Sequence, residues 1–211
     1  MSFLKEVFPE IPQNQQDLLS QYCDLIKEWN PKVNLVSRKD IDGLEQRHLL
    51  PSLAITKVAS FSAGAKVLDV GTGGGFPGIP LAICFPQTQF MLIDSIGKKI
   101  GVVQDVVERL GLENVRTAQV RAESLEESFD YVVGRAVTAL PAFLGWIHNK
   151  LKVGKKGSLE NGVLYLKGGD LTEELAQLKM KPEAIYSLED YFPGGLCEGK
   201  CLVYFKAQDL A

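Results

Sequence analysis

The chain has 211 residues, a formal net charge of −3, 45% hydrophobic residues and 23% charged ones. A chain this long buries roughly 70% of its unfolded surface, enough for one domain without a disulfide or metal staple. The balance excludes wholesale disorder, and the mild acidity excludes a protein that holds nucleic acid by bulk positive charge.

No apolar run reaches the ~18 residues that span a bilayer. The start, Met1-Ser2-Phe3-Leu4-Lys5-Glu6, lacks the basic end and apolar stretch of a secretory signal. A soluble, cytoplasmic protein is therefore expected. Of four cysteines, only Cys197 and Cys201 are close in sequence, and the two histidines, His48 and His148, stand far from them. Reduced thiols and no metal are expected.

In chain order, Leu18, Leu19, Tyr22, Leu25, Ile26 and Trp29 recur at three- and four-residue steps, which predicts a helix with one apolar docking stripe. Asn30-Pro31 stops it. A second, shorter helix is expected from about Asp40 to Arg47. From Ala65 the pattern changes to alternating strands and helices. Strands are predicted at Val67 to Val70, Phe90 to Ile93, Val115 to Val120, Tyr131 to Val133 and Val163 to Leu166. Helices are expected through Ile79 to Phe85, from Lys98 to Leu110 and from Leu140 to Leu151. This alternation predicts a parallel, doubly wound α/β sheet. The tail predicts a helix near Leu171 to Leu178. Strands at Ala184 to Leu188 and Cys201 to Phe205 follow, with a break at Phe192-Pro193-Gly194-Gly195 that suggests a closing antiparallel pair. The expected division is a helical cap over residues 1–60 and an α/β body over 61–211, packed as one unit.

The most informative segment runs Val67-Leu68-Asp69-Val70-Gly71-Thr72-Gly73-Gly74-Gly75-Phe76-Pro77-Gly78. Glycines between a strand and a helix let a ligand approach the backbone closely, and Pro77 and Pro80 suit the opening turn of that helix. Asp94, 23 residues after Gly71, ends the second strand, where a carboxylate can take both hydroxyls of a ribose. Asp69 stands just before the glycines. A carboxylate there suits a ligand carrying an amino or sulfonium group and suits a pyrophosphate poorly. The loop thus favours S-adenosylmethionine. A nicotinamide-dependent oxidoreductase shares the ribose logic and is the rival enzyme; a non-catalytic cofactor-sensing protein is the other alternative.

Lys27-Glu28-Trp29-Asn30 with Asn34-Leu35, Arg47-His48-Leu49-Leu50, Asp69 through Ile79, Leu92-Ile93-Asp94-Ser95 with Lys98-Lys99, Arg121-Ala122-Glu123, Gly134-Arg135-Ala136 and Tyr165-Leu166-Lys167-Gly168 span nearly the whole chain. In these pieces the sequence resembles the small-subunit ribosomal RNA guanine-N7 methyltransferase family, RsmG, also called glucose-inhibited division protein B. The resemblance implies a class I methyltransferase fold: a Rossmann-like, mostly parallel sheet with an antiparallel closing strand and an N-terminal helical cap. It implies methyl transfer from S-adenosylmethionine to N7 of a guanine in the decoding-region loop of 16S rRNA. The partner would be 16S rRNA or the small ribosomal subunit, with no membrane, and the protein a monomer. Gly71, Gly73, Phe76, Asp94, Ala122, Glu123 and Arg135 would hold the cofactor. Arg47, His48, Lys98, Lys99 and Lys167 would contact RNA.

From the residues alone, Arg47 and His48 fit a surface ion pair and a core imidazole as well as they fit RNA. Lys98 and Lys99 open a helix, where cations are disfavoured, which fits phosphate contact and, nearly as well, solvated lysines. Lys150, Lys152, Lys155 and Lys156 read as a mostly solvated basic loop, and Lys167 fits a surface ion pair equally. His148 reads as structural. Guanine N7 has an in-plane lone pair and no proton, so no general base is expected. Arg47, His48 and Arg135 are positioning candidates, and no unpaired cation should face the imidazole ring of the guanine. Against the resemblance, Pro51 replaces an acid and Gly134 a serine. Gly101 interrupts a helix, and Cys201 replaces a basic residue, with Lys200 beside it.

Overall fold

The computed structural model describes residues 3–192 and 194–210; Met1, Ser2, Pro193 and Ala211 lie outside the described residues, so the predicted break is seen only on either side of Pro193. The chain begins with α1 (Phe3–Val7) and the long α2 (Gln13–Trp29). The stripe of Leu19, Tyr22, Leu25 and Ile26 is buried, as its spacing predicts. Asn30 caps the end: its side-chain oxygen accepts hydrogen bonds from the backbone N–H groups of Leu35 and Val36, each 3.0 Å.

The predicted second helix is instead an irregular helical run. A 3-10 turn at Ile41–Gly43 passes into a π turn at Glu45–Leu49, then α3 (Leu50–Leu53) and α4 (Ile55–Val58). Pro51 has no N–H to give the carbonyl four residues back, and the Leu50 N–H bonds the Glu45 carbonyl across a wider turn. That wider turn carries Arg47 and His48.

The body is a seven-stranded sheet in the order β3-β2-β1-β4-β5-β7-β6. Its strands are β1 (Lys66–Val70), β2 (Gln89–Asp94), β3 (Val115–Gln119), β4 (Tyr131–Arg135), β5 (Gly162–Gly168), β6 (Ala184–Ser187) and β7 (Lys200–Lys206). The first five are parallel; β7 lies antiparallel between β5 and β6. Helices α5 (Gly78–Cys84) and α6 (Gly97–Leu110) join the first three strands. On the other side of the sheet lie α7 (Leu140–Ile147) and the short α8 (Thr172–Ala176). Every predicted strand and body helix is present, with ends moved by a few residues.

Strand alternation assigns the two faces. Val67 and Leu92 join a core shared with α2, α3, α5 and α6, whereas Leu68 and Val70 join the core under α7. The N-terminal helices dock through Trp29, whose indole N–H donates to Asp105 at 2.7 Å, and through Arg109 to Glu28 at 3.0 Å. The sheet reverses direction of growth between β1 and β4, so the loops leaving their carboxyl ends diverge and open a crevice. No helix among the described residues is long and apolar enough to cross a membrane.

Candidate cofactor and target site

The crevice is floored by the turn after β1. Gly71 (φ 67°), Gly73 (φ 59°) and Gly75 (φ 102°) take left-handed backbone conformations. At Gly71 a Cβ would stand 2.8 Å from Val137, so a side chain there meets both strain and collision. The Thr72 N–H reaches back to the Ile93 carbonyl of β2 at 3.0 Å.

Asp69 differs from expectation. It shares the face of β1 that carries Val67, towards α5, and is completely buried. Its Oδ2 accepts from the Thr72 hydroxyl at 2.6 Å and from the Gly78 N–H at 2.9 Å. It therefore ties the turn to the helix start and does not line the crevice, so it is no partner for an amino or sulfonium group. Its Oδ1 is buried without a partner. Burial pushes the carboxyl up to about 6, opposed by those two hydrogen bonds. A Cβ on Gly78 would stand 2.6 Å from Asp69 Oδ2, which explains the glycine there. The helix begins at Gly78, just after Pro77.

Asp94 does line the crevice, a cavity of about 480 Å³. Its Oδ2 accepts from the Gly73 N–H at 3.1 Å and its Oδ1 from the Ile96 N–H at 2.9 Å. A carboxylate has about four acceptor sites, so two remain for a ligand. Gly71, Gly73, Phe76, Ala122, Glu123 and Arg135 border the same cavity. Lys99 reaches its rim, while Lys98 is exposed on the neighbouring face of α6, because successive helical residues diverge by about 100°.

A second cavity of about 260 Å³ adjoins the first. Arg47, His48, Pro51, Lys167 and Lys200 line it, and it shares Arg135 and Ala136 with the first cavity. Ala136 (φ 51°) is the non-glycine residue with positive φ among the described residues. Such strained positions gather at functional sites.

Arg135 is partly buried and has no carboxylate within ion-pair distance among the described residues. Its guanidinium lies 4.8 Å over the Phe76 ring and donates to the His48 carbonyl at 3.3 Å. Burial lowers its pKa to about 10, which leaves it charged at neutral pH. It is an unpaired cation on the wall shared by the two cavities. Both ring nitrogens of His48 are buried without hydrogen-bond partners, and Nε2 stands 3.6 Å from Asp40, beyond bonding range. Burial, reinforced by Arg135, holds the imidazole down at about 4, so it is neutral at physiological pH.

Asp40 reaches Arg47 from the segment before the helical run. It sits 2.5 Å from Arg47 and accepts from the Ser37 hydroxyl at 2.7 Å, and these two partners hold its carboxyl down at about 2. Lys167 lines the second cavity and is paired with Glu174 at 2.7 Å. Lys200 stands at the register position opposite Gly168 on β7, which brings it to the cavity wall; Cys201 falls opposite Lys167. Lys150 departs from the expected solvated loop: it is buried, with Nζ donating to the Glu123 and Leu125 carbonyls. His148 is exposed and bonds the Gly145 carbonyl at 2.9 Å. Among the described residues, no group of three His, Cys, Asp or Glu side chains is placed to hold a metal. Asp40, Ala136 and Lys200 were not singled out from sequence as site residues. Lys200 alone left a signal, as a lysine beside the position where a basic residue was missing.

The family model for rRNA small subunit methyltransferase G, GidB, matches residues 15–194. The chain belongs to this family. A relative named ribosomal RNA small subunit methyltransferase G from Flavobacterium psychrophilum is 51% identical over 197 residues, covering 93% of each chain. One of the same name from Cytophaga hutchinsonii is 46% identical over 207 residues, 98% of this chain and all of that one. Among solved structures, a SAM-dependent methyltransferase from Aquifex aeolicus aligns with a TM-score of 0.56 at 16% identity, over 76% of this chain and 90% of that one. The chain of a fibrillarin/Nop5p complex aligns with a TM-score of 0.55 at 14% identity, over 76% and 82%. The fold is therefore that of the class I methyltransferases, and membership of the GidB family makes the protein a methyltransferase; neither the fold nor the family favours a nicotinamide oxidoreductase.

Proposed function

We propose that the protein transfers a methyl group from S-adenosylmethionine to N7 of a guanine in the 16S rRNA decoding-region loop, acting as a cytoplasmic monomer whose helical cap and body work as one unit. The observation that carries this reading is the pair of adjoining cavities sharing Arg135 and Ala136, one beside the glycine turn and one ringed by cations. The first suits the cofactor: a left-handed glycine turn leaves room where a Cβ would collide, and Asp94 has acceptor sites to spare. When bound, S-adenosylmethionine supplies an electrophilic methyl on sulfur.

The residues then have distinct tasks. Asp94 accepts ribose hydroxyls while its bonds to Gly73 and Ile96 keep it in place. Gly71 and Gly73 pass the methionine part, and Phe76 closes one side; Ala122 and Glu123 border the adenine. Arg47, Lys167 and Lys200 offer donors to RNA phosphate or base oxygen, with Lys99 at the rim and Lys98 outside it. The neutral His48 imidazole accepts from a base N–H. Arg135 directs its donors to O6 or a phosphate and leaves N7 free. Since N7 bears no proton, these groups orient and desolvate; alignment of this kind supplies on the order of 7–11 kcal/mol.

Monomer status is supported by the scatter of exposed large apolar side chains among the described residues: Ile96 and Val153 lie in separate loops and Ile185 on β6. Incubating the pure protein with cofactor labelled in the methyl group and small ribosomal subunits tests the reading. Label is expected at a single guanine whose N7-methylated ring is reduced by borohydride, so that aniline then cleaves the strand at that nucleotide. No label in RNA refutes the enzyme reading, and label at another atom refutes the N7 assignment.

A further inference from the structure

A groove of about 900 Å³ on the helical cap lies outside the site described above. Lys27, Lys32 and Arg38 line it together with Asn30, Asn34 and Ser37. No carboxylate is among its lining residues, and none of its three cations is ion-paired among the described residues. In a chain of net charge −3, this is a segregated basic strip.

The groove is firmly built. Asn30 pins its far wall through the N–H groups of Leu35 and Val36. Lys32 Nζ lies 4.7 Å over the ring of Trp29, which Asp105 fixes from the other side. The same wall faces the cofactor cavity with its inner side: Leu35 borders that cavity and packs over Gly74. Next in the chain after Arg38, the Lys39 carbonyl accepts from Arg47 at 2.9 Å. Arg47 lines the second cavity. The groove's unpaired Lys27, Lys32 and Arg38 thus lie on the cap side of the second cavity, whose own cations are Arg47, paired with Asp40, Lys167, paired with Glu174, Arg135 and Lys200.

We propose that this groove binds backbone phosphates of the RNA strand flanking the target guanine, so that the strand is tracked across the cap into the second cavity. The inference rests on the RNA reading of the site. Neutral Asn and Ser groups beside Lys and Arg are the usual makers of phosphate contacts. The lining offers no aromatic side chain on which a protein partner would anchor.

The test is the triple variant Lys27→Ala, Lys32→Ala, Arg38→Ala. Binding to a 16S rRNA fragment is measured by filter retention at several salt concentrations, with S-adenosylhomocysteine affinity measured alongside. Each phosphate neutralised on a single strand contributes about 0.7 to the slope of log K against log salt, so the slope is expected to fall by about 2. Affinity near 0.1 M salt is expected to fall at least about tenfold, with cofactor affinity unchanged. If the wild type labels RNA and the variant keeps its slope and affinity, the groove assignment is overturned and the function stands. If the variant instead keeps its RNA affinity and loses a protein from the small subunit, the groove is a protein site and the proposal fails. A wild type that neither binds nor labels RNA overturns both.

Discussion

Replacing Asp69 by Asn probes the electrostatics beneath the glycine turn. The Asp69 carboxyl is completely buried and pushed up to about 6 by that burial, against hydrogen bonds from Thr72 and Gly78 that favour its charge. Its pKa in the folded protein therefore exceeds that in the unfolded chain, and folding strengthens proton binding. The associated stability is complete below about pH 4 and is lost as pH rises through about 6. A gap of about 2 pKa units corresponds to about 3 kcal/mol. Asparagine keeps the shape and an oxygen for both donors but does not titrate. His48, held down at about 4, slopes the opposite way in both proteins and cancels from their difference. Urea unfolding of both proteins between about pH 4 and pH 7 measures that difference. The wild type is expected to lose about 3 kcal/mol relative to Asp69→Asn over that range. A difference that stays flat, or rises with pH, refutes the account of a desolvated carboxyl.

Two further outcomes follow from the geometry. Gly134→Ser introduces a Cβ 2.9 Å from the Phe143 ring and 3.1 Å from Tyr165, whose rings already lie 4.1 Å apart. It is expected to cost about 1–3 kcal/mol in thermal unfolding, and an unchanged midpoint would show that the ring pair yields freely. Asp94→Ala is expected to weaken S-adenosylhomocysteine binding at least about tenfold by calorimetry while sparing RNA affinity; equal losses in both would sink the ribose assignment.

The sheet was legible because buried parallel strands read as short apolar runs between helical spacings. Gly71, Gly73 and Asp94 were legible because strand order forces them to one crevice. Asp69 misled because its sequence position beside the glycines is the same whichever face its side chain takes, and the parity of β1 turns it towards α5. The π turn around Arg47 and His48 left no periodic signature, since Pro51 perturbs hydrogen bonding four residues upstream rather than at its own position. Asp40 meets Arg47 only across that turn. Lys200 reaches the second cavity through its register with Gly168, a pairing made between distant segments. Lys150 looked like one lysine of a surface run, yet it is buried with its Nζ on the carbonyls of Glu123 and Leu125.

The placement of β7 between β5 and β6 has a consequence for how the chain is made. As synthesis proceeds, β6 emerges before β7, so it has no neighbour to join at that moment. The nascent sheet can grow outward only as far as β5. Until residues 200–206 are translated, β5 presents an open edge and the Lys200 wall of the second cavity does not exist. The strands beneath the glycine turn thus precede the Lys200 wall of the second cavity, which must wait for the last strand of the chain.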